Sequence, residues 1–289
     1  MRYIAILAII PFAAWLSAAI IALITLRRGW REGFRVLAVA ILSFTVLSLM
    51  SMPFTQALSA ALLAFLPCYL TAGILHATAS WRLVGFAIVL QALFVVMLIH
   101  WLAPELMMNQ YRYILSVLQE MAKESPDSTV ASLFNNQNAL NQQIFASYFL
   151  GIQSVSISLS TVISVALARS VQSKMFYPGG FKQEMLGFRA SGLGVILLFA
   201  ASLSSYKHNS FAVSCLPILV VYFVTAGLSL SFNILAKGRG VGTFILLLIP
   251  LALLPFFMIP MYVAIGVLDS LFNIRLYLSS RGDGKEKKG

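Results

Sequence analysis

Tyr177-Pro178-Gly179-Gly180-Phe181-Lys182-Gln183-Glu184 is the one polar, turn-forming passage between two long blocks of apolar sequence. Pro178 fixes its own φ and pushes Tyr177 out of the helical region, while Gly179 and Gly180 allow positive φ. A helix arriving from the N-terminal side must therefore stop here, and a new element starts at Phe181. Basic residues Arg169, Lys174, Lys182 and Arg189 surround the turn, and Glu184 with Arg189 is expected to fix it against the membrane surface.

The flanking blocks decide the class. Hydrophobic residues make up 60% of the chain and charged residues 10%, with a mean hydropathy of +0.90, whereas about a quarter of the residues of soluble globular domains are charged. This is an all-α, polytopic transmembrane helix bundle whose first partner is the lipid bilayer. A net charge of +11 would suggest nucleic acid in a soluble domain; here the basic residues sit in short loops beside apolar runs, where they orient the chain. No nucleic-acid partner is expected. Cys68 and Cys215 both lie inside apolar runs and read as small core residues, not as a disulfide or metal pair.

The apolar runs cover 3–26, 36–49, 57–75, 83–102, 144–168, 191–203, 211–230 and 241–268, giving about eight hydrophobic segments. The first is longer than a signal-peptide core and is followed by Arg27 and Arg28, which marks a retained helix. Within it Ala14, Ala18 and Ala22 recur at four-residue spacing and let another helix approach closely, either inside the chain or as a docking face for a membrane coupling subunit. Met52-Pro53-Phe54 breaks the second run from the third. His100 and Trp101 close the fourth at the membrane boundary. The fifth carries Ser154, Ser156, Ser158, Ser160 and Ser164, a polar side suited to helix contacts or a wet cavity. The last run contains Pro250, Pro255 and Pro260 and is too long for one span of about 20 residues, so a kinked hairpin is open there.

Between the fourth and fifth runs, 103–143 is the only long polar segment. Met107, Tyr111, Ile114, Leu118 and Met121 fall on one helical face, which predicts an amphipathic helix followed by a polar loop. Basic residues concentrate on the cytoplasmic side of membrane proteins. Arg27, Arg28, Arg31, Arg35, Arg82, Arg169, Lys174, Lys182, Arg189, Lys237 and Arg239 fall on one side of alternating spans, against Arg112, Lys123 and Lys207 on the other. That places 170–190 in the cytoplasm and 103–143 on the outer face. The chain is accordingly a single transmembrane helical domain over 1–278 with a basic, disordered tail at 279–289.

Near the C-terminus, Asp269 lies six residues before Arg275, about 9 Å deeper along a helix, where an acid costs on the order of 3 kcal/mol to insert. Such an acid needs a partner unless it marks the water boundary. Asn273 shares its helical face, whereas Arg275, six residues on, points elsewhere on a continuous helix. The expected partner is the serine side of the fifth run, or a proton.

Tyr177-Pro178-Gly179-Gly180-Phe181-Lys182-Gln183-Glu184 with Leu186-Gly187-Phe188-Arg189, and the terminal Leu268-Asp269-Ser270-Leu271-Phe272-Asn273-Ile274-Arg275, resemble the YybS-like family of uncharacterised bacterial membrane proteins. Leu26-Arg27-Arg28-Gly29-Trp30-Arg31-Glu32-Gly33 looks similar too. Asn273 departs from the acidic residue expected there. The resemblance implies residence in the bacterial cytoplasmic membrane and a fold distantly similar to the substrate-capturing components of energy-coupling-factor vitamin transporters. It thereby implies a small-molecule ligand and a coupling partner, since the chain has no phosphate-binding loop of its own. The other reading is a membrane assembly protein that docks through its basic cytoplasmic loop. An enzyme is not expected: there is no His-Glu-x-x-His motif and no nucleophile elbow, and His76, His100 and His208 are scattered. No metal and no cofactor is implied.

Overall fold

The computed structural model describes residues 16–124, 139–176, 180–235 and 242–275. Ala14, Pro178, Gly179 and the tail at 279–289, singled out above, lie outside them. The described residues are mostly helical, with no strand among them. In order they form α1 (16–28), α2 (Trp30–Ser48), α3 (Phe54–Thr78), α4 (Trp81–Leu102), α5 (Pro104–Glu124), α6 (Ala139–Phe176), α7 (Gly180–Leu186), α8 (Gly192–Tyr206), α9 (Ser210–Leu235), α10 (Gly242–Leu253) and α11 (Pro255–Phe272).

Five of these helices are long and apolar enough to cross a membrane: α3, α4, most of α6, α9 and α11. At 15 residues α8 is apolar but shorter than a bilayer span. α2 carries Arg31, Glu32 and Arg35 in its first two turns. The last apolar run is not one helix: Leu254 leaves the helical region at φ −130° and Pro255 opens α11. Pro255 has no N–H to continue the ladder, and a first helical turn is the place where that omission costs nothing. Met52-Pro53 separates α2 from α3 as its composition predicts, with Pro53 as the N-cap of α3.

The basic passage around the Pro-Gly-Gly turn is mostly helix. α6 continues eight residues past Ala168 to Phe176, and α7 starts at Gly180. At 38 residues α6 is about 57 Å long and so outruns a hydrocarbon core of about 30 Å. Its amide-rich start and its Arg169 and Lys174 end are the polar parts of that overhang.

The chain divides into two compact units. The first comprises residues 1–89, 157–192 and 222–289, and the second 90–156 and 193–221. In the first unit, α1 turns into α2 at Gly29, whose φ of +83° favours glycine. The core gathers Ala18, Ile21, Ala22 and Leu26 of α1 with Leu37, Phe65, Cys68, Ala72, Leu75, Val84, Val165 and Ala168. Ala18 and Ala22 are thus buried against the chain's own helices, and the Ala18 carbonyl accepts a hydrogen bond from Cys68 Sγ at 3.3 Å. Gly73 makes room for the Trp30 indole, which meets Tyr69 edge-on at 5.3 Å. Phe34, Val39, Leu42, Val46 and Leu47 of α2 remain exposed.

In the second unit α5 is the amphipathic helix expected from its spacing: Met107 and Tyr111 are buried, with Tyr111 against Phe149 at 6.1 Å. Gly151 lets α6 approach α9 so closely that a Cβ would lie 2.6 Å from the Ser214 carbonyl. His100 is half-buried and reaches Ser214 Oγ at 3.0 Å; that hydroxyl donates to the Ser147 carbonyl at 2.8 Å. His100 is therefore tied down rather than simply wet at a boundary, because Ser214 and Ser147 are both fully buried and need partners.

Candidate functional site

The polar centre of the first unit is the link between α7 and α8. Residues 188–191 are not helical, so their backbone groups need outside partners in an apolar setting. They find them on α9 and α11. The Phe188 carbonyl accepts from Arg275 Nη2 at 2.5 Å and from Ser229 Oγ at 3.0 Å. The Ala190 carbonyl accepts from Ser270 Oγ at 3.1 Å, and the Ser191 N–H donates to the Tyr222 hydroxyl at 2.7 Å.

The link returns the contact through Arg189. Its Nε donates to the Asp269 carbonyl at 2.8 Å and its Nη2 to the Ser270 carbonyl at 2.7 Å. Both lie in the last turn of α11, where a helix leaves carbonyls without partners of its own; the Asp269 carbonyl also takes the C-cap N–H of Asn273 at 3.0 Å. One guanidinium thus caps α11 from another segment. Burial pushes the Arg189 guanidinium down from its ordinary value; neighbouring Arg82 pushes the same way, and Asp269 opposes both.

Asp269 itself is completely buried, and its partner is Arg275, whose Nε donates to Oδ2 at 3.0 Å. This corrects the sequence expectation that Arg275 points away and that the serines of α6 answer the acid. The reason is Asn273. It stands at φ 49° and ψ 56°, the left-handed C-cap of α11, with its N–H on the Asp269 carbonyl at 3.0 Å. Asparagine is among the few residues that occupy this conformation readily. The chain reverses there and carries Arg275 back over the last turn, where a six-residue spacing no longer separates the side chains. Of the serines of α6, Ser154 and Ser156 bond the carbonyls four residues before them, as Thr161 does, and Ser164 Oγ is buried with no partner among the described residues.

Oδ1 of Asp269 is buried with no hydrogen-bond partner among the described residues. A carboxylate in a site of low dielectric is costly unless its lone pairs are used. The same centre holds a half-used carboxylate, two arginines and three hydroxyls around a stretch of non-helical backbone.

The second constellation holds α7. Arg169 grips Glu184 with two parallel bonds, Nε to Oε2 at 3.0 Å and Nη2 to Oε1 at 2.5 Å, and Trp81 Nε1 donates to Oε2 at 2.9 Å. Glu184 is thus held by Arg169 and Trp81, while Arg189 serves the carbonyls at the end of α11. Phe181 stacks edge-on against Trp81 at 6.1 Å, and its N–H reaches Ser173 Oγ at 3.3 Å. Gly180 is buried at the start of α7.

The bond from Arg169 holds the Glu184 carboxyl below its ordinary value of 4.5; burial opposes this, and the Trp81 bond assists it. A folded-state value below the unfolded one contributes stability that is complete above the unfolded value and is lost as pH falls through the folded one. The wild-type protein is expected to lose thermal stability on acidification below about pH 4.5, and Glu184→Gln is expected to start less stable and to lose less over that interval. Detergent melting curves between pH 7 and pH 3 check it; parallel curves for the two proteins would show that the Arg169 clasp contributes nothing.

Trp81, Arg169, Tyr222, Ser229 and Ser270 belong to these constellations and carry no local sequence signal, since each partner lies 15 to 103 residues away. Among the described residues no three His, Cys, Asp or Glu side chains come together as a metal site. Comparisons of the chain with protein-family models, with curated proteins and with solved structures find no match.

Proposed function

We propose that this integral membrane protein is a non-catalytic small-solute-binding module of the bacterial cytoplasmic membrane, in the manner of the YybS-like proteins it resembles and of the substrate-capturing components of energy-coupling-factor transporters. The observation that carries the reading is Asp269, a fully buried acid with one oxygen on Arg275 and the other unengaged among the described residues. Ionisable groups inside a membrane bundle are expensive and commonly mark substrate or ion pathways. Here the acid sits beside irregular backbone, as the ligand sites of transporters do. The basic asymmetry of the loops supports 170–190 on the cytoplasmic side and 103–143 on the outer side, with about eight hydrophobic segments in the bundle. Energy for transport would come from separate subunits.

A second reading is an assembly protein that docks through its basic loop. It is favoured by the Arg169–Glu184–Trp81 clasp, which holds α7 as a preformed surface. Native mass spectrometry of protein extracted gently with its lipids tests both. A retained small molecule, lost in Asp269→Asn, is the expected result of the first reading; a retained protein with no small molecule overturns it in favour of the second.

A further inference from the structure

We propose that Arg82, Arg189 and Arg275 form a binding place for an oxyanion, a phosphate or carboxylate group presented by a small solute or by an anionic lipid headgroup. The inference deepens the solute-binding reading and, for the solute source, rests on it.

The argument begins with charge. Around the end of α11 the guanidinium groups of Arg189 and Arg275 stand against the carboxylate of Asp269, the one acid that meets them among the described residues. Glu184 does not help, because its carboxylate is already held by Arg169 with two bonds. The carbonyls that Arg189 and Arg275 engage supply partial charge only. The centre is therefore short of anion, in a setting where like charges are poorly screened.

The placement is set by α4. Gly85 leaves a gap that the Phe188 ring fills, and a Cβ there would lie 2.7 Å from it. Phe188 precedes Arg189. Arg82 lies three residues before Gly85, on the same helical face, one turn from where α4 meets Phe188. Burial first, and then Arg82, push the Arg189 guanidinium down from its ordinary value; Asp269 opposes them and Arg275 adds to the fall. An anion between the arginines relieves their repulsion.

The donors are present. Nε and Nη2 of Arg189 are spent on carbonyls, and Nη1 has no hydrogen-bond partner among the described residues. Arg82 is exposed and likewise makes no hydrogen bond among them. Arginine presents its donors in a planar fork that matches phosphate and carboxylate oxygens two at a time, which a lysine cannot do. The anchored Arg189 gives the place a fixed floor, and the exposed Arg82 is its outer arm.

The full-length chain in nanodiscs of phosphatidylcholine, titrated with sodium phosphate against sodium chloride of matched ionic strength, tests the proposal by thermal unfolding. A second series replaces part of the lipid with phosphatidylglycerol. A saturable rise in Tm with phosphate in the zwitterionic discs assigns a free oxyanion; a rise only with phosphatidylglycerol assigns a headgroup. In either case Arg82→Gln is expected to weaken the response by about tenfold, the loss of one charge-assisted contact. That variant leaves the clasp carbonyls served and so keeps the fold. Equal shifts in chloride and phosphate with no effect of the anionic lipid, or an Arg82→Gln protein that responds as wild type, overturns the proposal. An oxyanion response without a co-purifying solute removes the solute-binding reading and leaves this site standing. A retained neutral or cationic solute with no oxyanion response does the reverse.

Discussion

Asp269→Leu is expected to destabilise the protein by about 3–5 kcal/mol, the cost of removing one partner of a buried ion pair. The leucine is bulkier than the aspartate in a fully buried place and takes away the carboxylate that Arg275 Nε uses, at a guanidinium whose side chain is only 14% exposed. The damage would spread, because Arg275 also bonds the Phe188 carbonyl and Ser229, and those contacts fix the link that caps α11. Asp269→Asn separates charge from shape. Its amide oxygen still accepts from Nε, so it should cost about 1–2 kcal/mol, the difference between a charged and a neutral hydrogen bond. Thermal unfolding in detergent compares the two, and mass spectrometry reads ligand retention alongside. If leucine and asparagine behave alike, the ion pair is not what holds this end of the helix.

Gly227→Val is expected to be as damaging for a different reason. A Cβ at Gly227 would overlap the Tyr262 carbonyl, and one at Gly266 would overlap the Phe223 carbonyl. The two glycines let α9 and α11 meet backbone to backbone. Neither obstacle is the end of a flexible side chain, so the helices themselves would have to part. Overpacking of an ordinary core site costs about 1–3 kcal/mol, and a backbone obstacle sits at or above the top of that range. Separation would also strain the Tyr262 hydroxyl bond to the Leu247 carbonyl at 3.2 Å, which links α11 to α10. Gly192→Ala is the control: nothing lies within 4 Å of a Cβ there, and exchanging glycine for alanine in a helix is worth about 0.5–1 kcal/mol in favour of alanine. Melting temperatures that fall for Gly227→Val and hold or rise for Gly192→Ala support the close approach; equal changes refute it.

The membrane class, the helical content, the break at Pro53 and the amphipathic α5 were legible in the sequence because each depends on short-range pattern. Met107 and Tyr111 are one turn apart, and their common face can be counted without knowing what covers it. Pro53 stops a helix through its own ring. Asp269 likewise announced itself as an acid too deep to stand alone. The lengths of the helices were less legible. Charged Arg169 and Lys174 ended the apolar pattern, yet α6 runs on to Phe176, since a helix continues beyond the membrane wherever its backbone bonds can.

The partners were what the sequence withheld. Reading Asp269 on a continuous helix sends Arg275 to another face; one residue, Asn273 at φ 49°, reverses the chain and brings the pair together. Glu184 and Arg189 were expected together to fix the turn at the membrane surface; Arg169 and Trp81 hold the first, and the end of α11 takes the second. Composition, periodicity and turn chemistry thus determined by themselves that this chain is a helical membrane protein, and which polar residues needed an answer. Only the tertiary structure decided who answers. An ion pair is chosen by distance in space, and one left-handed residue or one buried glycine resets those distances without altering the periodic pattern around it.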